Sequence, residues 1–429
     1  MRRSYVIAAL GLSVVSASAQ SQASLASRVA RAPDGIVRLQ YPARSGVCGD
    51  GRDMVGFRNA LFAHNFQSYG RWSGVKCVAG PVRVALTVAD GRVVRAQTFV
   101  GGNWSSTTER VTDLGDVAPH DATLYFVSLV PTLEASTGKD RLLLPAVVGD
   151  DDDVMPSLLQ LARDDARAVR TRRQAVQWIG LLGDARVLPV LVGFARQAGQ
   201  DDDDNSKSGI GNGAIAALSM LENGLGIPPL IELSRTGSVE TRRNAAFWLG
   251  QSGDPRGLRR LHQLIEDDKE ESKVRSHAIF ALSHNGDTPD AEFDYLRSVY
   301  PRLNDEKLKE AIIQGMAEDK ATGGRWLIAR AKDSRESLSV RKNALFWAGQ
   351  RDVTSIAEIV SVYRDASERS LREHAIFVLS QRHEDEAVDA LLRIARDDSD
   401  KDMRGKAMFW LAQKKDARVT KMIGDILVK

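Results

Sequence analysis

A four-residue apolar cluster that begins with alanine recurs along the C-terminal part of the chain at nearly constant spacing. Its fourth residue, called the anchor, falls at positions 178, 217, 248, 281, 314, 347, 378 and 410. The steps between anchors are 39, 31, 33, 33, 33, 31 and 32 residues. A repeat of this size holds two helices of about 12 residues and two turns, and it cannot bury its apolar face alone. The spacing therefore predicts a solenoid of stacked helix pairs.

The anchor is a tryptophan in half of the repeats. Alanine or valine fills the same offset at Ala217, Ala281 and Val378. Packing in a core tolerates such exchanges, whereas stacking of a ligand on an aromatic ring would not. We therefore interpret the tryptophans as core residues between repeats rather than as a binding stripe: Trp178, Trp248, Trp347 and Trp410.

Polar residues at two further offsets predict helix starts and contacts between repeats. Six residues after the anchor, aspartates are expected to cap the second helix through a side-chain oxygen: Asp184, Asp254, Asp287 and Asp416. Six residues before the anchor stand arginines: Arg172, Arg242, Arg275, Arg341, Arg372 and Arg404. Together they predict a ladder of ion pairs between the arginines and the turn aspartates of adjacent repeats. The repeats with Gly211 and Leu308 at this offset would lack a rung.

The combined pattern R-x-x-A-x-x-a-L-G-x-x-g-D, followed by a leucine-rich second helix, resembles the short HEAT repeats of the phycobilisome-lyase-like group. The resemblance covers about residues 140–429. It implies an α-helical solenoid, a HEAT-like α-α superhelix of about eight to nine helix pairs over residues 141–429. Residues 141–165 resemble a degenerate first repeat, as a terminal cap requires. Repeats of this family serve scaffolds, adaptors and a few enzymes.

The first residues have the pattern of an export signal. Arg2 and Arg3 precede an apolar run that is too short to span a bilayer, and small residues follow at Ala17 and Ala19. This pattern predicts a signal peptide at residues 1–19 and a mature protein that is periplasmic or secreted, without insertion in a membrane. A flexible polar segment is expected at 20–33.

Residues 34–115 are predicted to form a small β-rich or α+β domain. Strand-like alternation flanks Asp90-Gly91, which is typical of a hairpin turn. A short helix is expected at 55–66. Cys48 and Cys77 are the two cysteines of the chain, and in an exported protein we expect them to form one disulfide, with two free thiols as the alternative. A connecting helix is expected at 116–140.

Charge gives little indication of nucleic-acid binding. The formal net charge is +3, and loss of the two leader arginines leaves it near zero, so no basic surface for nucleic acid is expected. Acidic residues concentrate at 150–154 and 200–206. Neither run has the ligand spacing of a calcium loop, and we interpret both as solvated loops.

The motifs of common enzymes are missing from the sequence, which contains no HExxH, GxSxG, phosphate loop or CxxC. Deoxyhypusine hydroxylase, a HEAT-repeat enzyme, holds two irons with repeated His-Glu pairs, but His-Glu occurs here once, at His383-Glu384. His277 and His374 share one offset with other polar residues and are interpreted as structural. We therefore expect no metal, no cofactor and no catalytic residue.

The exposed faces of the second helices are expected to line the concave surface of the solenoid and offer candidate contacts for a partner: Arg259, Arg260, His262, Arg297, Arg330, Tyr363 and Arg364. We predict a non-catalytic exported scaffold or adaptor that binds proteins through the solenoid groove. Two alternatives stay open. One is a lyase-like or oxidoreductase-like enzyme, implied by the family resemblance. The other is an N-terminal ligand-binding or cell-wall-binding domain that the solenoid supports.

Overall fold

The computed structural model describes residues 24–52, 54–57, 60–63, 66–68, 77–137, 143–198, 209–284, 289–350, 354–414, 416 and 418–419. Contacts divide the chain into an N-terminal region, residues 1–171, and a C-terminal region, residues 172–429. The predicted signal peptide and Asp287 lie outside the described residues. Within those residues, no helix is both long enough and apolar enough to cross a membrane.

The N-terminal region contains two four-stranded sheets in its described part. The strands are β1 Gly35–Tyr41, β2 Val47–Gly49, β3 Met54–Phe57, β4 Ala60–Ala63, β5 Phe66–Ser68, β6 Val82–Ala89, β7 Arg92–Val100 and β8 Val111–Asp116. One sheet has the order β7-β6-β1-β8, in which β1 and β8 run parallel and the other pairs antiparallel. The other is the antiparallel meander β2-β3-β4-β5.

The β6–β7 hairpin turns at the dipeptide that the sequence indicates. Ala89 pairs with Arg92, and the two residues between them have positive φ, 52° at Asp90 and 67° at Gly91. This conformation is typical of a two-residue hairpin loop. The Asp34 carboxylate accepts hydrogen bonds from both turn amides, at 3.0 and 3.1 Å. The turn is thereby tied to the residue before β1.

The short helix predicted at 55–66 is wrong, because this segment forms β3, β4 and the start of β5. A short apolar run does not reveal its period, and a helix of this length is marginal without tertiary support. Pairing with β2 supplies that support to strands instead. The predicted disulfide is present between Cys48 and Cys77, with 5.3 Å between the Cα atoms, and it closes the chain around the meander.

The described part of the N-terminal region also contains the helices α1 Leu25–Ala30, α2 Pro119–Thr137, α3 Leu144–Val147 and α4 Val154–Arg163. Helix α1 lies inside the segment expected to be flexible, and it is held there by burial of Leu25 and Val29. Helix α3 is bound to the rest of the region because the Tyr41 hydroxyl donates to the Pro145 carbonyl oxygen at 2.5 Å. Residue contacts thus place α3 and α4 with the N-terminal region.

The C-terminal region is an array of helix pairs. First helices, which carry the anchors, are α5 Val169–Leu182, α7 Ile210–Met220, α9 Val239–Ser252, α11 Ser272–Ser283, α13 Glu306–Met316, α15 Leu338–Gln350, α17 Arg369–Gln381 and α19 Lys401–Ala412. Second helices are α6 Leu188–Ala195, α8 Ile227–Thr236, α10 Pro255–Glu266, α12 Asp290–Val299, α14 Gly323–Lys332, α16 Ile356–Asp365 and α18 Asp385–Asp397. Successive first helices pack on each other from α7 to α19. The predicted helical solenoid, preceded by a small strand-containing domain, is confirmed.

Neighbouring first helices approach closely because a glycine two residues after a tryptophan anchor faces the small anchor of the next repeat. A Cβ atom added to Gly180 would lie 2.6 Å from the Ala217 carbonyl oxygen. At Gly250 the corresponding distance to the Ala281 carbonyl oxygen is 2.5 Å. Such contacts leave no room for a side chain on the glycine. A repeat with a tryptophan anchor and a glycine two residues later therefore fits a next repeat whose anchor is alanine, and the two kinds of repeat are not interchangeable.

A ladder of ion pairs joins successive repeats, but its partners differ from those predicted. A basic residue near the start of a first helix pairs with an acidic residue in the loop before the next first helix. The pairs are Arg242–Glu270 at 2.9 Å, Lys309–Glu336 at 2.9 Å, Arg341–Glu368 at 2.5 Å and Arg372–Asp398 at 2.7 Å. The turn aspartates instead pair with the arginine two residues later, as in Asp184–Arg186, Asp254–Arg256 and Asp416–Arg418. Each of these aspartates also accepts a hydrogen bond from that arginine's amide at 2.8 Å.

The rung that the sequence assigned as missing at Leu308 is present at Lys309. The burial of Leu308, Ile312 and Ile313 places α13 one residue out of the predicted alignment, so that Gly315 rather than Gln314 occupies the anchor position. In the predicted alignment, which is one residue off for this repeat, the buried Leu308 stood where the basic residue was expected. In the structure that position is occupied by Lys309.

The ladder predicts a large stability difference between two nearby arginines. Arg341 is 5% exposed, and its guanidinium also donates to the Ala331 carbonyl oxygen at 3.0 Å. Because Arg341→Met leaves the buried Ala331 carbonyl oxygen unpaired and removes the ion pair with the partly exposed Glu368, we expect it to lower the free energy of unfolding by about 2–3 kcal/mol. The matched control is Arg335→Met, since the Arg335 side chain is 85% exposed; there we expect a loss below about 0.5 kcal/mol. Urea titrations followed by circular dichroism measure both, and equal losses would contradict the ladder's role.

Candidate functional site

The side chains predicted to contact a partner from the second helices are mostly engaged within the chain. Arg260 donates to the Ser234 hydroxyl at 2.9 Å and to its carbonyl oxygen at 3.1 Å. His262 lies 2.6 Å from a Glu292 carboxylate oxygen, and its ring stacks on Tyr295 with 3.7 Å between centroids. These contacts join consecutive second helices, so the residues stabilise the array itself.

Of the remaining residues in this predicted set, three are bound within the chain and two are exposed. Arg297 pairs with Asp294 and Asp319, and Arg330 pairs with Asp333 and Glu336. Tyr363 is wrong as a surface contact, because it is only 5% exposed and its hydroxyl donates to the Asp398 carboxylate at 2.5 Å. The two members that are exposed are Arg259 and Arg364. The sequence could not distinguish charged side chains that face water from those that pair with other residues of the chain.

The first helices carry a different feature, a row of phenylalanines at the position just before the anchor. We call it the aromatic row: Phe247, Phe280, Phe346, Phe377 and Phe409. Four of these side chains are half-buried, and Phe409 is 60% exposed. The Phe247 and Phe280 rings stack across neighbouring first helices, with centroids 6.5 Å apart. At α13 the equivalent position holds Gln314, which interrupts the row.

The tryptophan anchors take part in both the core and this outer face. Trp178 is 7% exposed, whereas Trp248, Trp347 and Trp410 are half-buried. Each of these three lies edge-on against the phenylalanine that precedes it, with centroid distances of 5.2, 5.4 and 5.2 Å. The interpretation of the tryptophans as core residues therefore holds for Trp178. The other three tryptophans are only partly buried in the core. Sequence reasoning missed the row itself, although the repeated phenylalanine before the anchor is its visible signal.

Two histidines border the aromatic row. The His277 ring stacks near Phe280 at 5.9 Å, and the His374 ring lies 5.7 Å from that of Phe377. Burial lowers the pKa of both imidazoles, with smaller contributions from the positive charges of Arg243 on His277 and Lys342 on His374. The row is therefore bordered by neutral imidazoles at neutral pH, which keeps this part of the face apolar.

Charged residues surround the end of the aromatic row on α17 and α19. Phe409 and Trp410 line a shallow recess together with Glu373 and Lys406. Lys406 Nζ lies 3.8 Å from a Glu373 carboxylate oxygen. An apolar centre with a charged rim is the usual composition of a protein-binding patch.

The described residues contain one group of three side chains whose geometry suits a metal ion. His120, Asp151 and Asp153 in the N-terminal region each offer one ligand atom, and these atoms all lie within 4.8 Å of one another. The His-Glu pair considered in the sequence has no such geometry, since the Glu384 carboxylate is bound by Arg382.

The lowered pKa of His374 predicts a pH dependence of stability. A folded-state pKa below the unfolded value, about 6.5, means that the unfolded chain takes up protons first as the pH falls. We expect stability to decrease as the pH is lowered through about 6.5, and His374→Gln to remove part of that decrease. Thermal melting of both proteins between about pH 8 and 5 measures the difference, and NMR titration of the imidazole gives the pKa directly. A His374 pKa at or above 6.5 would contradict this account.

Comparison with known proteins identifies the repeats. Residues 227–317 and 324–412 match the sequence family described as HEAT repeats. No curated protein sequence matches the chain significantly. Among solved structures, the complex of CpcE and CpcF of phycocyanin lyase from Nostoc sp. PCC7120 is similar at 17% identity, with 60% of this chain and 94% of that chain covered and a TM-score of 0.29.

Two further structures have comparable similarity. Importin beta is similar at 13% identity, covering 68% of this chain and 46% of that chain, with a TM-score of 0.32. Human deoxyhypusine hydroxylase is similar at 16% identity, covering 64% of this chain and 95% of that chain, with a TM-score of 0.21. The family match and the stacked helix pairs agree, and residues 227–317 and 324–412 are similar to HEAT repeats.

Proposed function

We propose that this protein is an exported, non-catalytic scaffold that binds a protein partner through the aromatic row of its HEAT repeats. The observation that carries the proposal is the recurrence of a partly exposed phenylalanine at one position of every first helix from α9 to α19 except α13. Aromatic side chains dominate the energetics of protein interfaces because each buries a large apolar area with few rotatable bonds. A row of them at the repeat period offers an extended surface to one partner.

The aromatic row is a better binding surface than the face of the second helices. On the second helices, Arg260 and His262 already bind residues of neighbouring helices, and Arg297 binds Asp294 of its own helix. A partner that recruited these side chains would have to break existing hydrogen bonds and would regain little net free energy. Burial of the phenylalanines breaks no hydrogen bond and removes apolar surface from water.

Export and the absence of catalysis rest on separate support. The leader-like pattern at residues 1–19 and the Cys48–Cys77 disulfide both favour an oxidising compartment, periplasmic or extracellular. The non-catalytic role is supported by the missing enzyme motifs of the sequence and by the use of the repeat's polar positions for contacts between helices. A solenoid of this kind is suited to presenting a long surface.

The proposal predicts that loss of aromatic side chains weakens partner binding selectively. Proximity labelling from the exported full-length protein identifies the partner, and titration of the two purified proteins gives the dissociation constant. We expect the double variant Phe346→Ser and Phe409→Ser to weaken binding by at least about tenfold, the effect of losing one strong interface contact. The matched control is Arg259→Ala and Arg364→Ala, which removes exposed charges from the second helices.

Circular dichroism of both double variants checks that the helices remain folded. If the arginine variant loses binding and the phenylalanine variant retains it, the partner uses the second helices and the proposed surface is wrong. If both retain full affinity, the solenoid does not bind the partner through either face, and the scaffold proposal is overturned.

A further inference from the structure

Three side chains of the N-terminal region meet where two helices begin. His120 is the second residue of α2, Asp153 directly precedes α4, and Asp151 lies in the turn between α3 and α4. His120 Nδ1 is 3.4 Å from Asp151 Oδ1 and 3.9 Å from Asp153 Oδ2. We propose that these residues bind a divalent transition-metal ion, with zinc as the best-fitting ion.

The buried carboxylate of Asp151 gives the strongest support for a cation site. Asp151 is 7% exposed, and its Oδ1 accepts a hydrogen bond from the Asp153 amide at 3.0 Å. Its Oδ2 is buried without a hydrogen-bond partner among the described residues. A buried carboxylate with an unused oxygen is costly, and a cation beside it would compensate the charge.

The neighbouring cation, Arg44, does not neutralise this carboxylate. Its guanidinium donates to the backbone carbonyl oxygen of Asp151 and pairs with the Asp152 carboxylate at 3.3 Å. These bonds fix the turn that carries Asp151 while leaving its side chain directed to the His120 side of the group. Asp151 is thus held in place without a bound ion, so that binding an ion costs less conformational entropy.

The distances fit the small coordination sphere of zinc. Zinc–nitrogen and zinc–oxygen bonds of about 2.1 Å in tetrahedral geometry place neighbouring ligand atoms about 3.4 Å apart. The His120–Asp151 distance of 3.4 Å meets this value without movement. The Asp153 oxygen lies 3.9 Å from His120 Nδ1 and must approach, which its 78% exposed side chain can do by rotation.

The donor set selects the class of ion. An imidazole nitrogen and two carboxylate oxygens are ligands that zinc uses when a fourth position is left to water or another molecule. Calcium and magnesium prefer sets made of oxygen alone, and calcium takes six to eight of them. The interpretation of residues 150–154 as a solvated loop therefore does not extend to Asp151 and Asp153.

Zinc titration of the intact chain tests the site. With zinc chloride as the probe, isothermal titration calorimetry and elemental analysis after dialysis are expected to give one bound ion per chain. His120→Ala and Asp153→Ala should each weaken binding at least about tenfold, since second-sphere changes alone commonly cost that much. Both side chains are largely exposed, so these variants should fold, unlike changes at buried Asp151.

The matched controls are Asp150→Asn, an exposed residue of the same acidic run, and His383→Ala, an exposed histidine of the solenoid. Both should bind zinc as the unaltered protein does. Cobalt substitution adds a spectroscopic readout, because a nitrogen–oxygen ligand set alters the visible spectrum of the ion and His120→Ala should abolish the change. Binding below one ion per chain overturns the proposal, and so does equal affinity in His120→Ala, Asp153→Ala and the unaltered protein.

Discussion

The solenoid depends on one close contact, in which a glycine of one first helix meets the small anchor of the next. Gly250 faces Ala281 and Gly349 faces Val378, at distances that exclude any added side chain. Because Gly250 meets the Ala281 backbone and Gly349 meets the Val378 side chain, these repeats have a fixed position against their neighbours. The ladder of ion pairs depends on this fixed position. A basic residue of one repeat, such as Arg341, must reach the loop that precedes the next first helix.

The same contact determines which side chains remain outside. The inner face of a first helix is filled with alanine, glycine and leucine, so the bulky residue before the anchor is turned outward. This produces the aromatic row, of which Phe409 is the most exposed member. The second helices are different, since their outer charges are used to join neighbours, as His262 and Glu292 show. The two faces of the array therefore differ in what they offer a partner.

The sequence predicts the repeat period, the helix pairs, the hairpin and the disulfide, because each depends on local spacing or on residue type alone. It fails where the outcome depends on distant partners. Lys309 was overlooked because one repeat is displaced by a residue in the alignment, and Tyr363 was taken for a surface residue because its partner Asp398 is far along the chain. The His120–Asp151 pair combines residues 31 positions apart, and no periodicity indicates it.

The central claim is that helix stacking depends on the absence of a side chain at the contact. The most direct measurement compares the free energy of unfolding of Gly250→Ala and Gly405→Ala, two glycines inside first helices. A Cβ at Gly405 meets nothing within 4 Å, so this change should stabilise the protein by up to about 1 kcal/mol through helix propensity. At Gly250 the new Cβ collides with the Ala281 backbone, and we expect a loss of about 1–3 kcal/mol despite the same propensity gain. Equal stabilisation at both sites would contradict the account.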